Sequence, residues 1–533
     1  MSKKYYEFMK QISSEDLYKG LLGFGLFSEK LPPFLSSVNF FEYCQKNDPT
    51  FSNTKKEQSF IYYENMRNIN IPRPLGIPNP MAYQKLCMNL KDNWDNILEP
   101  FKVKTQDEEY KVSRIHIRKL KDKSKIFEMN YGDFKNDGNP EQDLLIGSKF
   151  LVNADISTCF PSIYSHSISW ALVSKGVAKL NKGKSNEWYN ALDFYVRNTK
   201  NGETNGLLIG PHSSNLISEI ILTAIDYEMV KKGWQYLRNI DDYTCYVKSF
   251  EDGQQFLLDL IEQLRGYNLI LNFKKTKITP LPIASVEHWV RKLSTHSQFK
   301  EKDVLNFQDV RSFLDLSIEL MNENANNSAI LNFAIKVLSK KHLSKNAIDY
   351  YVKTINHLTI IYPYLIALLD ENIFKVFKVE IEKIKSYSKL FYKEGILNNN
   401  FELVSYSIYF ALKYDFVINK IDFTKLRQNN HCIVLLLSYL YCDRNKINSE
   451  VKELLARELV KDEEDFNQYW LFVFEVLSKS HLKGDWKNLK DNNVTFVSNF
   501  IGKNYSASSC MRRRLKRRSK AHIRIVNVNG ILL

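Results

Sequence analysis

Cysteine is scarce and unpatterned in this chain of 533 residues. Its seven cysteines, Cys44, Cys87, Cys159, Cys245, Cys432, Cys442 and Cys510, include no C-x-x-C pair. Neither a local zinc site nor a disulfide framework is encoded, and a reducing cytoplasm is the expected location. The opening MSKKYYEFMK lacks the apolar stretch of a signal peptide, and the longest apolar runs, 360–369 and 432–442, reach only about half a bilayer span. No membrane partner is expected, since no basic amphipathic helix marks a lipid-facing surface either. Glycine and proline nearly vanish between 290 and 505, and no acidic residue follows Asp491.

What is present is the composition of a folded protein. Apolar residues make up 44% and charged residues 25%, which excludes wholesale disorder and collagen-like or coiled-coil fibres. The length exceeds one hydrophobic core and suggests about three domains. Lysine and arginine number 75 against 60 aspartates and glutamates, a formal charge of +15. That excess favours a polyanionic partner, with nucleic acid the leading candidate.

Residues 1–50 read as a lead-in whose Pro32 and Pro33 break any helix. From 51 to 289, β-branched or aromatic runs such as KFLVNADIS alternate with helical stretches and Gly/Pro turns, a mixed α/β signature. From 290 to 505, apolar residues recur every three or four positions, as in LNFAIKVLSK, VKELLARELV and YWLFVFEVL. No strict repeat is visible, so irregular antiparallel helix pairs are expected there. Residues 506–533 form a basic tail, with CMRRRLKRRSK before an IRIVNV stretch that reads as a strand.

The chemistry concentrates in three places. The apolar run of LVNADISTCFPSIY (151–164) delivers Asp155 at the end of a strand, with Phe160 five residues on. Asp241 and Asp242 sit between LRNI and YTCYV, the turn of a hairpin. Between these acidic sites, NGLLIGPHSSN (205–215) is a glycine-bearing turn that opens an apolar helix through Ala224. A lone Asp after a strand is usually a cap, and an Asp-Asp pair is usually a solvated loop. In this order, however, the carboxylates need a cation between them. Two Mg²⁺ ions about 4 Å apart would supply it and would clamp both oxygens of an in-line phosphoryl transfer.

These motifs resemble the reverse transcriptases, and within them the bacterial abortive-infection and defence-associated branch, whose palm is related to those of retrons and group II introns. The first motif matches at Asp155, Phe160, Pro161 and Ser162, the second from Gly206 to Pro211 with Ser214 and Asn215, the third at Asp241 and Asp242. GYNLILNFKKTKI (266–278) and RPLGIPNPMAYQKL (73–86) are similar to the segments that follow the catalytic hairpin and hold the incoming triphosphate. The chain departs from the pattern at Asn239, where Tyr is usual, and at Leu208 and Ile209, where the second motif usually carries Pro and Gln.

The resemblance implies an α+β fold: fingers and palm with an antiparallel palm sheet, then an all-α helical-repeat domain of HEAT-like character in place of a thumb. It implies Asp155, Asp241 and Asp242 as catalytic metal ligands, joined by the backbone oxygen of Ile156, with Mg²⁺ or Mn²⁺ as cofactor. Arg73, Phe160, Gly210 and Lys275 would bind the nucleotide, Phe160 as a steric gate against the ribose 2′-OH. The implied activity is an RNA-directed or template-independent DNA polymerase consuming dNTPs in antiphage defence. Homo-oligomers, a structured non-coding RNA and priming from a protein tyrosine occur in this branch. Tyr5 and Tyr6 lie in a mobile-looking start. Arg512, Arg513, Arg514, Lys516, Arg517 and Arg518 are candidate nucleic-acid contacts. Two alternatives stand beside this reading. One is a catalytically weak RNA-binding scaffold. The other is a C-terminal ribonuclease built on the R-x4-H spacing of Arg517 and His522.

Overall fold

The computed structural model describes residues 4–498 apart from 53–56, 68–71, 115–117, 120–126, 129–137, 285–286, 298, 300–302, 419–420, 422–425, 427–430, 448–454, 460 and 462. The basic tail, with Arg512 to Arg518, His522 and the IRIVNV stretch, lies outside the described residues.

After the short helices of the lead-in comes a two-stranded antiparallel hairpin, β1 (Phe60–Met66) and β2 (Pro72–Pro78), with Phe60 opposite Pro78 and Met66 opposite Pro72. Helix α1 (Pro80–Asp92) starts where Asn79 caps its first turn and Pro80 presets the helical φ. Helix α2 (Trp94–Thr105) follows, with Trp94 in the core donating from Nε1 to the Ile12 carbonyl at 2.7 Å.

The central sheet is built from β3 (Phe150–Asp155), β4 (Tyr236–Asn239), β5 (Asp242–Val247) and β6 (Lys277–Pro280). The order is β4-β5-β3-β6, antiparallel throughout. Helices α3 (Trp188–Asn198), α4 (His212–Lys231) and α5 (Phe250–Gly266) intervene between strands. The Ser249 and Asp252 side chains cap α5 reciprocally. Helix α4 is buried on nearly every side from Ser213 to Asp226, as expected of a helix through the centre of a core. It runs past Ala224 because nothing breaks it before Gly233, whose φ is +87°.

Past the sheet the chain is almost wholly helical: α6 (Phe307–Glu323), α7 (Ser328–Leu338), α8 (Lys345–Ile361), α9 (Ile381–Leu397), α10 (Phe401–Tyr414), α11 (Cys432–Asn445) and α12 (Trp470–Val476). Among the described residues it departs from helix in a two-residue parallel pairing of Val304–Leu305 with His342–Leu343 and in a bridge at Val497. Helix α9 packs on α10, α10 on α11 and α11 on α12. Helices α10 and α11 also pack on β1, so this region closes over the hairpin.

Its end returns to the lead-in. Leu35 and Val497 form a bridge, with Ser36 N donating to Phe496 O and Ser498 N to Phe34 O, both at 2.8 Å. The lead-in belongs to the same core. Tyr5, read from the sequence as part of a mobile start, is 1% exposed and stacks on Phe101 at 5.4 Å. Its hydroxyl is therefore withdrawn from solvent, because its ring fills a hydrophobic position on a short helix, Tyr5–Met9, docked on α2.

Candidate active site

Strand register brings the three carboxylates together. Asp155, the last residue of β3, pairs directly with Asp242, the first of β5. Strand β4 turns into β5 through the two-residue loop Ile240-Asp241, flanked by the pair Asn239 and Asp242. Asp241 thus sits at the tip beside Asp242, and its carbonyl accepts from the Ile156 amide at 3.1 Å. Two-residue hairpin loops require positive φ, and here it falls on Ile240, at +57°. A β-branched side chain is strained in that region, and such strain persists only where surroundings over-determine it.

Arg238 supplies that constraint. It is fully buried on β4, and its Nη1 donates to the Ile240 carbonyl at 2.9 Å. The rest of the guanidinium grips two carboxylates of α4: Nε and Nη2 bond Asp226 at 2.8 and 2.6 Å, and Nη1 and Nη2 bond Glu219 at 3.1 and 2.9 Å. Tyr236 donates to Asp226 at 2.7 Å, and the Ser113 hydroxyl donates to Glu219. Burial pushes Glu108, beside this network, up to about 8, with the charge of Asp226 adding to it. Glu108 therefore stays protonated at neutral pH and adds no negative charge to a cluster already holding two carboxylates against one guanidinium.

At the front of the sheet, Asp155 is 6% exposed. Asn272 Nδ2 donates to its Oδ1 at 2.9 Å and Lys275 Nζ to its Oδ2 at 2.8 Å. Lys275, read from the sequence as a nucleotide contact, is thus ion-paired to a carboxylate, and that bond raises its own pKa. Burial, then the charges of Asp241 and Asp155, lifts Asp242 to about 6. Burial and Asp155 also raise Asp241, while Lys275 and Arg73 pull it down.

Carboxylates that raise one another are short of positive charge, the condition a divalent cation relieves. Among the described residues, no three His, Cys, Asp or Glu side chains form a closed metal cage. The fit is instead by charge and hard oxygen donors. It suits Mg²⁺, which binds one or two carboxylates and completes its shell with water and substrate phosphate. Ile156, whose carbonyl was expected to help, is buried and is tied to the same turn by its amide, which donates to Asp241 O at 3.1 Å.

The remaining motifs are stitched around this edge by backbone bonds. Leu207 N donates to Phe160 O at 2.8 Å and Gly206 N to Ile163 O at 2.7 Å, joining the Phe160 turn to the glycine loop. At Gly206, φ is +86° and a Cβ would come within 2.8 Å of the Pro161 carbonyl, so no side chain fits. Gly76 N on β2 bonds Ile209 O at 2.8 Å, docking the hairpin on the same loop, with Gly210 alongside the Gly76 carbonyl. Leu208, where a proline is usual, is buried beneath Gly76, and a Cβ there would lie 2.7 Å from its Cδ2.

Arg73, on β2, lies close enough to lower the pKa of Asp241. Burial, then Arg73 and Arg67, lowers Lys30 of the lead-in. Lys30, Arg67 and Arg73 therefore lie within electrostatic reach of one another, and of these Arg73 reaches Asp241. The sequence reading missed Lys30, Arg67 and the Arg238 network. Glu219 and Asp226, seven residues apart and hence on one face of an otherwise apolar helix, were the available signal for the last.

Residues 81–333 match the profile of the family described as reverse transcriptase (RNA-dependent DNA polymerase). The chain carries a reverse transcriptase domain. The fold is that of fingers and palm around an antiparallel sheet. The match takes in all three carboxylates, the glycine loop and Lys275, and it begins after Arg73.

Among solved structures, apo telomerase from Candida tropicalis truncated from its C-terminal domain is similar at 12% identity and TM-score 0.29, over 46% of this chain and 55% of that one. Telomerase from Candida tropicalis with the TWJ fragment of telomeric RNA is similar at 12% and 0.28, over 72% and 64%. Apo telomerase from Candida tropicalis is similar at 10% and 0.30, over 78% and 72%. The chain thus spans under two thirds of the first two. No curated protein matches it. Among the described residues, no helix is long and apolar enough to cross a membrane.

Proposed function

We propose that the reverse transcriptase domain joins deoxynucleoside triphosphates into DNA at the cluster of Asp155, Asp241 and Asp242. The observation that carries this reading is the register of β3 against β5, which sets Asp155 opposite Asp242, with Arg73 within electrostatic reach of Asp241. Asp155, Asp241 and Asp242, with the Ile156 carbonyl, would hold a pair of Mg²⁺ ions, or Mn²⁺ in their place. Bound there, the ions would supply the charge that steadies the attacking and leaving oxygens.

This chain's own residues bind and orient. Arg73 presents a guanidinium fork to phosphate oxygens and keeps its charge at any working pH. Phe160, held against the glycine loop, excludes a ribose 2′-OH and selects deoxynucleotides. Gly210 would let the backbone approach the substrate, on the loop that Gly206 fits against the Pro161 carbonyl. Lys275 holds Asp155 in place and would meet departing phosphate with its ammonium.

The finer reading is a polymerase of bacterial antiphage defence, cytoplasmic and homo-oligomeric, copying a structured non-coding RNA or extending without a template. Its basic tail would contact RNA phosphates. Tyr5 is an unsuitable priming hydroxyl because it is buried. A second reading, a catalytically weak RNA-binding scaffold, is favoured by one observation: the Lys275 ammonium occupies the Asp155 carboxylate that a cation would need.

The test is incorporation of each labelled deoxynucleotide by protein as purified, with Mg²⁺ and no added primer or template, before and after ribonuclease. Synthesis lost after ribonuclease identifies an RNA template, and synthesis that survives identifies template-free extension. Tight RNA binding without incorporation under Mg²⁺ or Mn²⁺ supports the scaffold instead.

A further inference from the structure

We propose that Glu402, at the start of α10 in the C-terminal helical region, is a positioning residue for the incoming nucleotide, because it fixes the hairpin strand that faces Arg73. This rests on Arg73 contacting the triphosphate.

Glu402 is 1% exposed. Its Oε2 accepts from the Met66 amide at 2.6 Å and its Oε1 from Asn65 Nδ2 at 2.8 Å. In the register of the hairpin, Asn65 lies directly across from Arg73 and Met66 across from Pro72. The carboxylate therefore grips β1 at the rung that carries Arg73 on β2.

That rung needs a holder. Among the described residues the β1–β2 sheet has two strands, and an isolated two-stranded hairpin is marginal in water. At its other half, Gly76 is pinned to Ile209 of the glycine loop. Glu402 pins the distal half, so the two anchors together set the distance from Arg73 to the carboxylates.

A purely structural role fits poorly with the choice of residue. Burial drives the Glu402 carboxyl up to about 8 despite its two hydrogen bonds and the opposing charge of Lys30. An apolar side chain in the same place would pack at lower cost. Retaining a double acceptor serves the strand, not the stability of α10. The helical region then acts as a brace for the nucleotide-binding hairpin, a role no motif of the palm reveals.

The experiment compares steady-state dNTP incorporation by the full chain with Glu402→Leu, Glu402→Gln and Arg73→Ala. Glu402→Leu removes both acceptors and should raise KM for dNTP about tenfold, with kcat changed less than twofold, the size expected for losing one or two hydrogen bonds. In Glu402→Gln the amide oxygen accepts from Met66, and a flipped Asn65 amide accepts from the new NH₂, so KM should return to within about threefold of the original. A drop in kcat alone for Glu402→Leu, with KM unchanged, marks mere loss of folded protein and overturns the proposal. If Arg73→Ala raises KM and Glu402→Leu does not, the brace is wrong while the triphosphate contact stands. If Arg73→Ala leaves KM unchanged, the contact itself is wrong and the brace falls with it.

Discussion

Arg238 offers the sharpest separation of stability from geometry. Its guanidinium makes five hydrogen bonds inside the core, four to Glu219 and Asp226 and one to the Ile240 carbonyl. Arg238→Met leaves two buried carboxylates facing each other without their cation, and breaking such a set costs about 3–5 kcal/mol. Adding Glu219→Leu and Asp226→Leu removes the orphaned charges, and apolar replacement of a whole buried ion set is often neutral within about 1–2 kcal/mol. The triple variant should therefore recover most of the melting temperature that Arg238→Met loses.

It should not recover activity. The Ile240 backbone, held at positive φ at a cost of about 1–3 kcal/mol, loses its buried donor in both variants, and the loop that carries Asp241 relaxes. A shift on the order of 1 Å in a reacting group costs about 10²-fold. The assays are thermal melting by circular dichroism and incorporation of labelled dNTP under one set of conditions. A triple variant that is both stable and as fast as the parent refutes the clamp. So does an Arg238→Met protein that melts where the parent does.

Phe160→Ala should relax sugar selection by about 10–10²-fold, read as the ratio of kcat/KM for a deoxynucleotide and its ribonucleotide; an unchanged ratio means the ring is core and no gate. Glu108→Gln tests the buried charge balance. The folded pKa of Glu108, about 8, lies above its unfolded value near 4.3. Its contribution is fully present below the unfolded value and is lost as pH rises toward 8. The glutamine variant should gain melting temperature over the parent as pH rises from about 5 to 8, and a constant difference across that window contradicts the assignment.

The sequence pointed to the grouping of the three carboxylates more readily than to the residues that support them. Asp155, Asp241 and Asp242 were legible because a strand end and a two-residue turn are local patterns, and their order around a glycine loop is distinctive. The glycine positions were legible for the same reason, since φ at Gly206 follows from its turn. Arg238 was hidden because its meaning depends on two acids on another element, and no local pattern pairs them. Glu402 reads in sequence as an ordinary acid in the first turn of a helix, where a negative charge favours the dipole. Only the fold brings it 336 residues back along the chain to Met66. Lys275 read in sequence as a nucleotide contact, and the geometry pairs it with Asp155. The lead-in's Tyr5 misled because a charged, aromatic start resembles a loose end, whereas its ring completes a core.

The central claim is that the carboxylates at the meeting of β3 and β5 perform nucleotidyl transfer. Its most direct test is labelled dNTP incorporation with Mg²⁺ by the parent and by Asp241→Asn, with matching circular dichroism and melting to show that both are folded. The expected result is synthesis by the parent and only background by the variant. Equal synthesis by both, from equally folded protein, would place the chemistry elsewhere.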